Sequence, residues 1–245
     1  MTAVLKNTLS AHHARLPVTC EHCNLGRICI PKGLTREEIE SLGTLVRRNN
    51  TVPKGAALYH AGSPFRGVIA VRSGSAKLVA LDRNGNEYIV DFVLPGELLG
   101  FDGFSTERYR CTAIALESVN YCELPTQQLE VLARDTPSLA QVLLQRSGYQ
   151  FDASVEKMVL SRKNADERVA SFIIHISERL RLRGYASTEL RLSMSREEIG
   201  NYLGITHETV SRLLHQFQAQ GLINVKSKQL TLIDRAGLYR YCSED

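Results

Sequence analysis

From about residue 50 to 125 this 245-residue chain is written in short β-branched runs broken by glycines, and beyond that in longer helical patterns. That order constrains the fold more than any other feature. Period-2 and period-3.6 segments cannot exchange places without exposing their apolar faces. The runs are Gly67–Arg72, Ala76–Leu81, Glu87–Val93 and Cys111–Ala115. Between the second and third, Arg83-Asn84-Gly85-Asn86 is a hairpin signal, since Asn-Gly tolerates positive φ. Many short strands at near-regular spacing predict an antiparallel roll or barrel. After Pro137 there is no proline and only Gly148 as far as Arg162, which predicts a long helix. A compact helical segment follows from Asn164 and ends in two short strands. The expected class is α+β: an N-terminal antiparallel β-roll, a long helix and a C-terminal helical domain. The divisions fall at 1–31 for an N-terminal cysteine-rich loop, 32–135 for the roll, 136–162 for the long helix and 163–245 for the last domain. Such an order reads as sensor, connector and output.

Hydrophobic content of 43% and charged content of 23% are those of a soluble globular protein. No apolar stretch approaches the roughly 20 residues of a membrane span. The first nineteen residues carry Lys6, His12, His13 and Arg15 without an apolar core, so no secretory signal is expected. A cytoplasmic location follows, where thiols stay reduced and clustered cysteines read as metal or redox sites. The net charge of +4 permits nucleic acid as a partner without demanding it.

Three cysteines fall within ten residues, Cys20, Cys23 and Cys29, at C-x2-C-x5-C spacing. Zinc and iron–sulfur sites take four protein ligands, so the run is one short, and Cys111, Cys122 and Cys242 are the spare thiols. Spacing alone leaves a cluster, a structural zinc and a metal-free thiol-redox switch all open. His22 lies inside the motif but beside Cys23, where it would point away. Arg27 could offset thiolate charge or simply be solvated.

On the long helix, Ala140, Leu144, Phe151, Val155 and Met158 share one face, and Leu139, Val142 and Leu143 add a second strip. Arg146, Gly148 and Gln150 interrupt the pattern, which suits either packing on the chain's own roll or a weak dimer seam. Ser195-Arg-Glu-Glu198 is a capping box opening a helix through Ile199 and Leu203 to Gly204. A second helix starts at the N-cap Thr206 and ends before Gly221, so the pair forms a helix-turn-helix. On it Val210, Leu213, Leu214 and Phe217 must face the core, while Glu208, Ser211, Arg212 and His215 line the opposite face. Arg212 can donate twice to guanine, Glu208 can accept from cytosine and Ser211 can approach a thymine methyl or a phosphate. The alternative is a solvated face with an ordinary Glu208–Arg212 ion pair. Strands at Leu222–Val225 and Gln229–Ile233 complete a winged ending, with Lys226 and Lys228 at its tip. No phosphate-cradling loop, H-E-x-x-H or nucleophile–base pair is present, so no enzyme is expected.

The order of roll, long helix and winged helix resembles the CRP/FNR family, from about Cys20 to Ile233. It is closest to the oxygen-sensing FNR (fumarate and nitrate reduction) branch. The marks are the cysteine run ending Cys29-Ile30-Pro31, the segment Ala115–Ser118 leading to Cys122-Glu-Leu-Pro125, Ile199–Ile205, and Glu208-Thr-Val-Ser-Arg212. The resemblance implies a [4Fe–4S] cluster held by Cys20, Cys23, Cys29 and, from its setting before Glu-Leu-Pro, Cys122, with Cys111 as competitor. It implies a homodimer when the cluster is bound, release by oxygen, and a palindromic TTGAT-type DNA site read by Thr206, His207, Glu208, Ser211, Arg212 and His215. The turn around Gly85 would touch RNA polymerase. A cyclic nucleotide is not expected: Phe101 follows Gly100 where an acidic residue should hold the ribose, and Cys111 follows Arg110 where a Ser or Thr should hold the phosphate. The acidic residue that opposes cluster-free dimerisation in that branch has no clear counterpart. Asp152 and Glu156 flank a place held by Ala153 and Ser154. Activation or repression depends on promoter placement.

Overall fold

A computed structural model describes residues 19–242. Most of the predicted N-terminal loop, including Lys6, His12, His13 and Arg15, lies outside the described residues. The chain runs α1 (Arg36–Leu45), β1 (Arg47–Val52), β2 (Ala57–Tyr59), β3 (Gly67–Ser73), β4 (Ala76–Leu81), β5 (Glu87–Val93), β6 (Leu98–Leu99), β7 (Thr112–Ala115) and β8 (Val119–Pro125). Then come α2 (Thr126–Asp135), α3 (Pro137–Leu160), α4 (Ala165–Arg181), β9 (Glu189–Arg191), α5 (Arg196–Leu203), α6 (His207–Ala219), β10 (Ile223–Lys226), β11 (Gln229–Leu232) and α7 (Arg235–Arg240).

Eight strands make the predicted roll as two four-stranded sheets, β1-β8-β3-β6 and β2-β7-β4-β5, antiparallel throughout. The β4–β5 turn forms where Asn-Gly placed it. The Asp82 carboxylate accepts from the backbone N–H of Asn84 and Asn86, and Gly85 takes φ +84°. Strand alternation divides the roll's residues between two cores. Ile69, Val71, Val119 and Tyr121 face the interior between the sheets. Val68, Ala70, Cys122 and Leu124 face outward, where α1, α2, the start of α3 and the cysteine loop cover them. Ala70 pairs with Cys122 in register, so β3 and β8 form the floor of that outer core.

The C-terminal domain carries a third strand that the sequence pattern missed: β9 pairs with β11, giving the order β10-β11-β9. This domain does not stand apart from the roll. Val79, Ile89, Phe92 and Leu94 share one core with Phe172, Ile173, Ile199, Val210 and Phe217. Phe92 and Tyr202 rings lie 5.1 Å apart, and Asn201 Oδ1 accepts from Ile89 N at 2.6 Å while its Nδ2 donates to Glu87 O at 2.8 Å. Beside them Glu97 accepts from Arg179 and Arg183.

Candidate metal centre and nucleic-acid interface

The segment 20–32 winds in successive turns, closed by bonds such as Gly26 N–H to Cys23 O at 2.9 Å and Cys29 N–H to Leu25 O at 2.8 Å. Gly26 allows the close approach, because a Cβ there would stand 3.3 Å from the Cys23 carbonyl. The turns bring Cys20, Cys23 and Cys29 to one cavity, and β8 brings Cys122 to the same cavity from below. Ile30, Pro31, Leu42, Val46, Ala70 and Leu124 make its remaining wall largely apolar. Cys111 does not line it. That thiol sits at the start of β7, with its N–H held by the Asp102 carboxylate at 3.0 Å.

Burial pushes the Cys29 thiol up to about 12; the Ile30 N–H opposes this, and Cys23, Cys122 and Cys20 add to it. Burial likewise pushes Cys122 up to about 11, against the charges of Arg72 and Arg48 and with those of Cys20 and Cys23. Arg48 Nη2 donates to Cys20 Sγ at 3.3 Å. Thiols so placed stay protonated near neutral pH, so any metal entering must displace protons. The donor set fits a thiolate-held group: four sulfurs, an apolar wall and two guanidiniums to offset charge. Among the described residues, no three His, Cys, Asp or Glu side chains form a group that could hold a single metal ion. His22 turns to Thr19 Oγ1 at 2.9 Å, and Arg27 is exposed.

The second site lies on α5 and α6. Ser195 Oγ accepts from Glu198 N–H at 3.1 Å, and Glu198 accepts from Ser195 N–H at 2.7 Å. The other oxygen of Glu198 meets Lys77 Nζ of β4 at 2.9 Å, so one residue both caps the helix and ties it to the roll. Gly204 ends α5 at φ +68°, and Thr206 Oγ1 accepts from Thr209 N–H. Gly200 is required at the crossing, because a Cβ would stand 2.6 Å from Ile205 O.

Val210, Leu213, Leu214 and Phe217 are all buried, each worth about 1.5–3 kcal/mol of apolar transfer. That fixes the opposite face, and Glu208, Arg212 and His215 are exposed along it, with Ser211 half-buried. The Glu208–Arg212 pair of the alternative reading is not among the ion pairs of the described residues. Glu208 instead meets His207 Nε2 at 3.2 Å, which leaves the Arg212 guanidinium available. Ser211, His215, Gln218 and the wing's Ser227 line a groove with Arg196, a residue the sequence reading overlooked. Its position directly after the N-cap Ser195 was the available signal. Lys228 spends its ammonium on Ser193 O at 2.7 Å, whereas Lys226 is exposed. Arg212→Ala should weaken specific DNA binding and relax discrimination at one guanine by about 1–3 kcal/mol. Anisotropy titrations against single-base variants of the site measure this, and an unchanged preference would misplace the reading residue.

Residues 167–241 match the Crp-like helix-turn-helix domain family, and residues 50–136 match the cyclic nucleotide-binding domain family. The chain is 41% identical over 216 residues to the transcriptional activator protein Anr of Pseudomonas aeruginosa, covering 88% of each chain. It is 37% identical over 222 residues to the fumarate and nitrate reduction regulatory protein of Vibrio cholerae, covering 90% of this chain and 89% of that one. Among solved structures it resembles FixK2 from Bradyrhizobium japonicum, with a TM-score of 0.74 and 29% identity over 80% of this chain and 97% of the other.

Proposed function

Since the chain belongs to the CRP/FNR family of transcription regulators, on its FNR-type side, we propose that it is an oxygen-responsive regulator. It binds a palindromic TTGAT-type site as a homodimer while Cys20, Cys23, Cys29 and Cys122 hold a [4Fe–4S] cluster, and so controls anaerobic gene expression. One observation carries the reading: loop thiols and a strand thiol, nearly a hundred residues apart in sequence, line a single apolar cavity. When bound, such a cluster supplies an oxygen-labile centre whose ligands tie the loop to β8.

The chain's own residues supply the rest. Arg48 and Arg72 stand where they offset thiolate charge. Zinc would draw its four thiolates to about 3.8 Å from one another, given Zn–S bonds of about 2.3 Å in a tetrahedron. A [4Fe–4S] cluster would instead take one thiolate at each iron. Structural zinc or a metal-free thiol switch remains the alternative.

A second copy of the chain would cover the outer face of α3, where Leu144, Phe151 and Met158 are 74%, 70% and 66% exposed. Two α6 helices would then read half-sites about one helical turn apart. RNA polymerase would meet the β4–β5 turn. A cyclic nucleotide has no place in this reading. Asp102 already caps the backbone N–H groups of Arg110 and Cys111, and Phe65 fills the space beside Gly103. Among the described residues no helix is long and apolar enough to cross a membrane; we place the protein in the cytoplasm with its DNA. The test is DNA binding by anaerobic protein before and after air. Affinity for a TTGAT palindrome should fall about a hundredfold on exposure, within the range of strong ligand-linked couplings. Equal affinity in both samples would refute oxygen control.

A further inference from the structure

The apolar pattern of α3 breaks at Arg146, Gly148 and Gln150. At 100° per residue, positions 139, 142, 146, 150 and 157 share one face of the helix. Leu139 and Val142 are buried there against the roll. Beyond them the attachment changes kind. Arg146 Nη2 donates to Ile28 O at 2.6 Å and Cys29 O at 3.0 Å. Gln150 Nε2 donates to Leu98 O at 3.3 Å, and Lys157 Nζ donates to Ile89 O at 3.1 Å and Val90 O at 2.9 Å. All five acceptors are backbone carbonyls. The middle and lower parts of α3 are therefore held to the chain's own body by polar fingers, and the opposite face keeps its apolar side chains exposed.

Of the three fingers, Arg146 alone reaches the cysteine loop. Cys29 turns its thiol to the cavity and its carbonyl to Arg146. Ile28 is pinned on its other side, since its side chain covers Gly96 so closely that a Cβ there would lie 2.5 Å from Ile28 Cδ1. Both bonds leave one guanidinium nitrogen, whose two N–H directions are fixed in the plane, so Nη2 keeps both carbonyls only while they keep their relative position.

We propose that Arg146 is the positioning residue that registers α3 against the metal-binding loop, so that occupation of the thiol cavity sets how the apolar face of α3 meets a second copy of the chain. The proposal rests on the cluster reading above. With Cys20, Cys23 and Cys29 drawn to a common centre, the Ile28 and Cys29 carbonyls hold one geometry and Arg146 fixes the middle of α3. With the loop released, the fork loses its partners and that part of the helix its register.

The test uses full-length wild type, R146A and R146K, prepared anaerobically and matched for iron and sulfide per chain, with dimerisation measured by sedimentation equilibrium. R146A should carry wild-type iron and sulfide and keep the wild-type thermal midpoint without cluster. Its cluster-loaded dimer should dissociate about tenfold more readily, within the span of ordinary allosteric couplings. R146K, which keeps a cation and one carbonyl bond, should stay within about threefold of wild type, a smaller share of such a coupling. R146A that dimerises like wild type when loaded overturns the proposal alone. So does R146A that loses cluster and thermal stability together, because that marks a merely structural role. Wild type that carries zinc and no iron overturns the cluster reading, and this proposal with it.

Discussion

Cys122→Ser should leave the purified protein almost free of iron and sulfide and lower its anaerobic affinity for a TTGAT palindrome by about a hundredfold, the upper range of ligand-linked couplings. Strand parity places the thiol. In β8, Cys122 and Leu124 point to the outer core while Val119 and Tyr121 point into the roll, and Cys122 stands opposite Ala70 under the loop. No other described thiol can replace it there. Cys111 directly precedes β7 of the other sheet with its N–H held by Asp102, and Cys242 lies against Leu238 O at the end of α7. A serine hydroxyl is a poor substitute for a thiolate as an iron ligand, so three ligands would face a four-ligand group. Cys111→Ser is the matched control and should keep wild-type iron content and DNA affinity. The reverse outcome, with iron lost from Cys111→Ser and kept in Cys122→Ser, would move the fourth ligand.

Glu97→Ala should destabilise the protein by about 3 kcal/mol, because removing one member of a partly buried ion-pair group leaves its partners uncompensated. The Glu97 carboxylate accepts from Arg179 and Arg183 of the C-terminal domain and from Leu94 N–H at 2.8 Å. The side chains of Arg183 and Arg179 are only 6% and 13% exposed. Asp91, 3.7 Å from Arg179, retains part of the compensation, which keeps the cost at the lower end. For a chain of this length the thermal midpoint should fall by about 6–12 °C. Burial pushes the Glu97 carboxyl up, but Arg179, Arg183 and the hydrogen bonds pull it down further, to a net value below the ordinary carboxylate range. The folded value lies below the unfolded one. The stabilisation is therefore complete above the unfolded value of about 4.3 and is lost as pH falls through the folded value. Urea titrations should show the wild-type advantage over Glu97→Ala intact at pH 7 and shrinking below about pH 4. An advantage that does not change with pH would mean that the arginines do not act through charge.

The helix-turn-helix was legible in the sequence because every local signal agreed there: a capping box, a glycine forced into the left-handed region, and an apolar face at 3.6 spacing. The first helix, α1, carried the same signal and went unread. Thr35-Arg-Glu-Glu38 repeats the pattern of Ser195-Arg-Glu-Glu198, and both boxes form. Strand β9 has three residues and owes its existence to a partner forty residues away, so no local period announces it. β1, with Arg47, Arg48, Asn49 and Asn50, shows no apolar alternation because it lies at a sheet edge. The core shared by the roll and the C-terminal domain was equally hidden. Phe92 looks like any strand residue until Phe172 and Tyr202 stand beside it. The interruptions of α3 looked like defects because a pattern of side chains cannot show which backbone carbonyls they will meet.

The central claim is that the four-cysteine cavity holds an oxygen-labile cluster, and quantifying iron, sulfide and zinc in anaerobically purified protein, before and after timed exposure to air, tests it most directly. Iron and sulfide near four each per chain, falling on exposure with zinc negligible throughout, is the predicted result. One zinc per chain, unchanged by air, would contradict it.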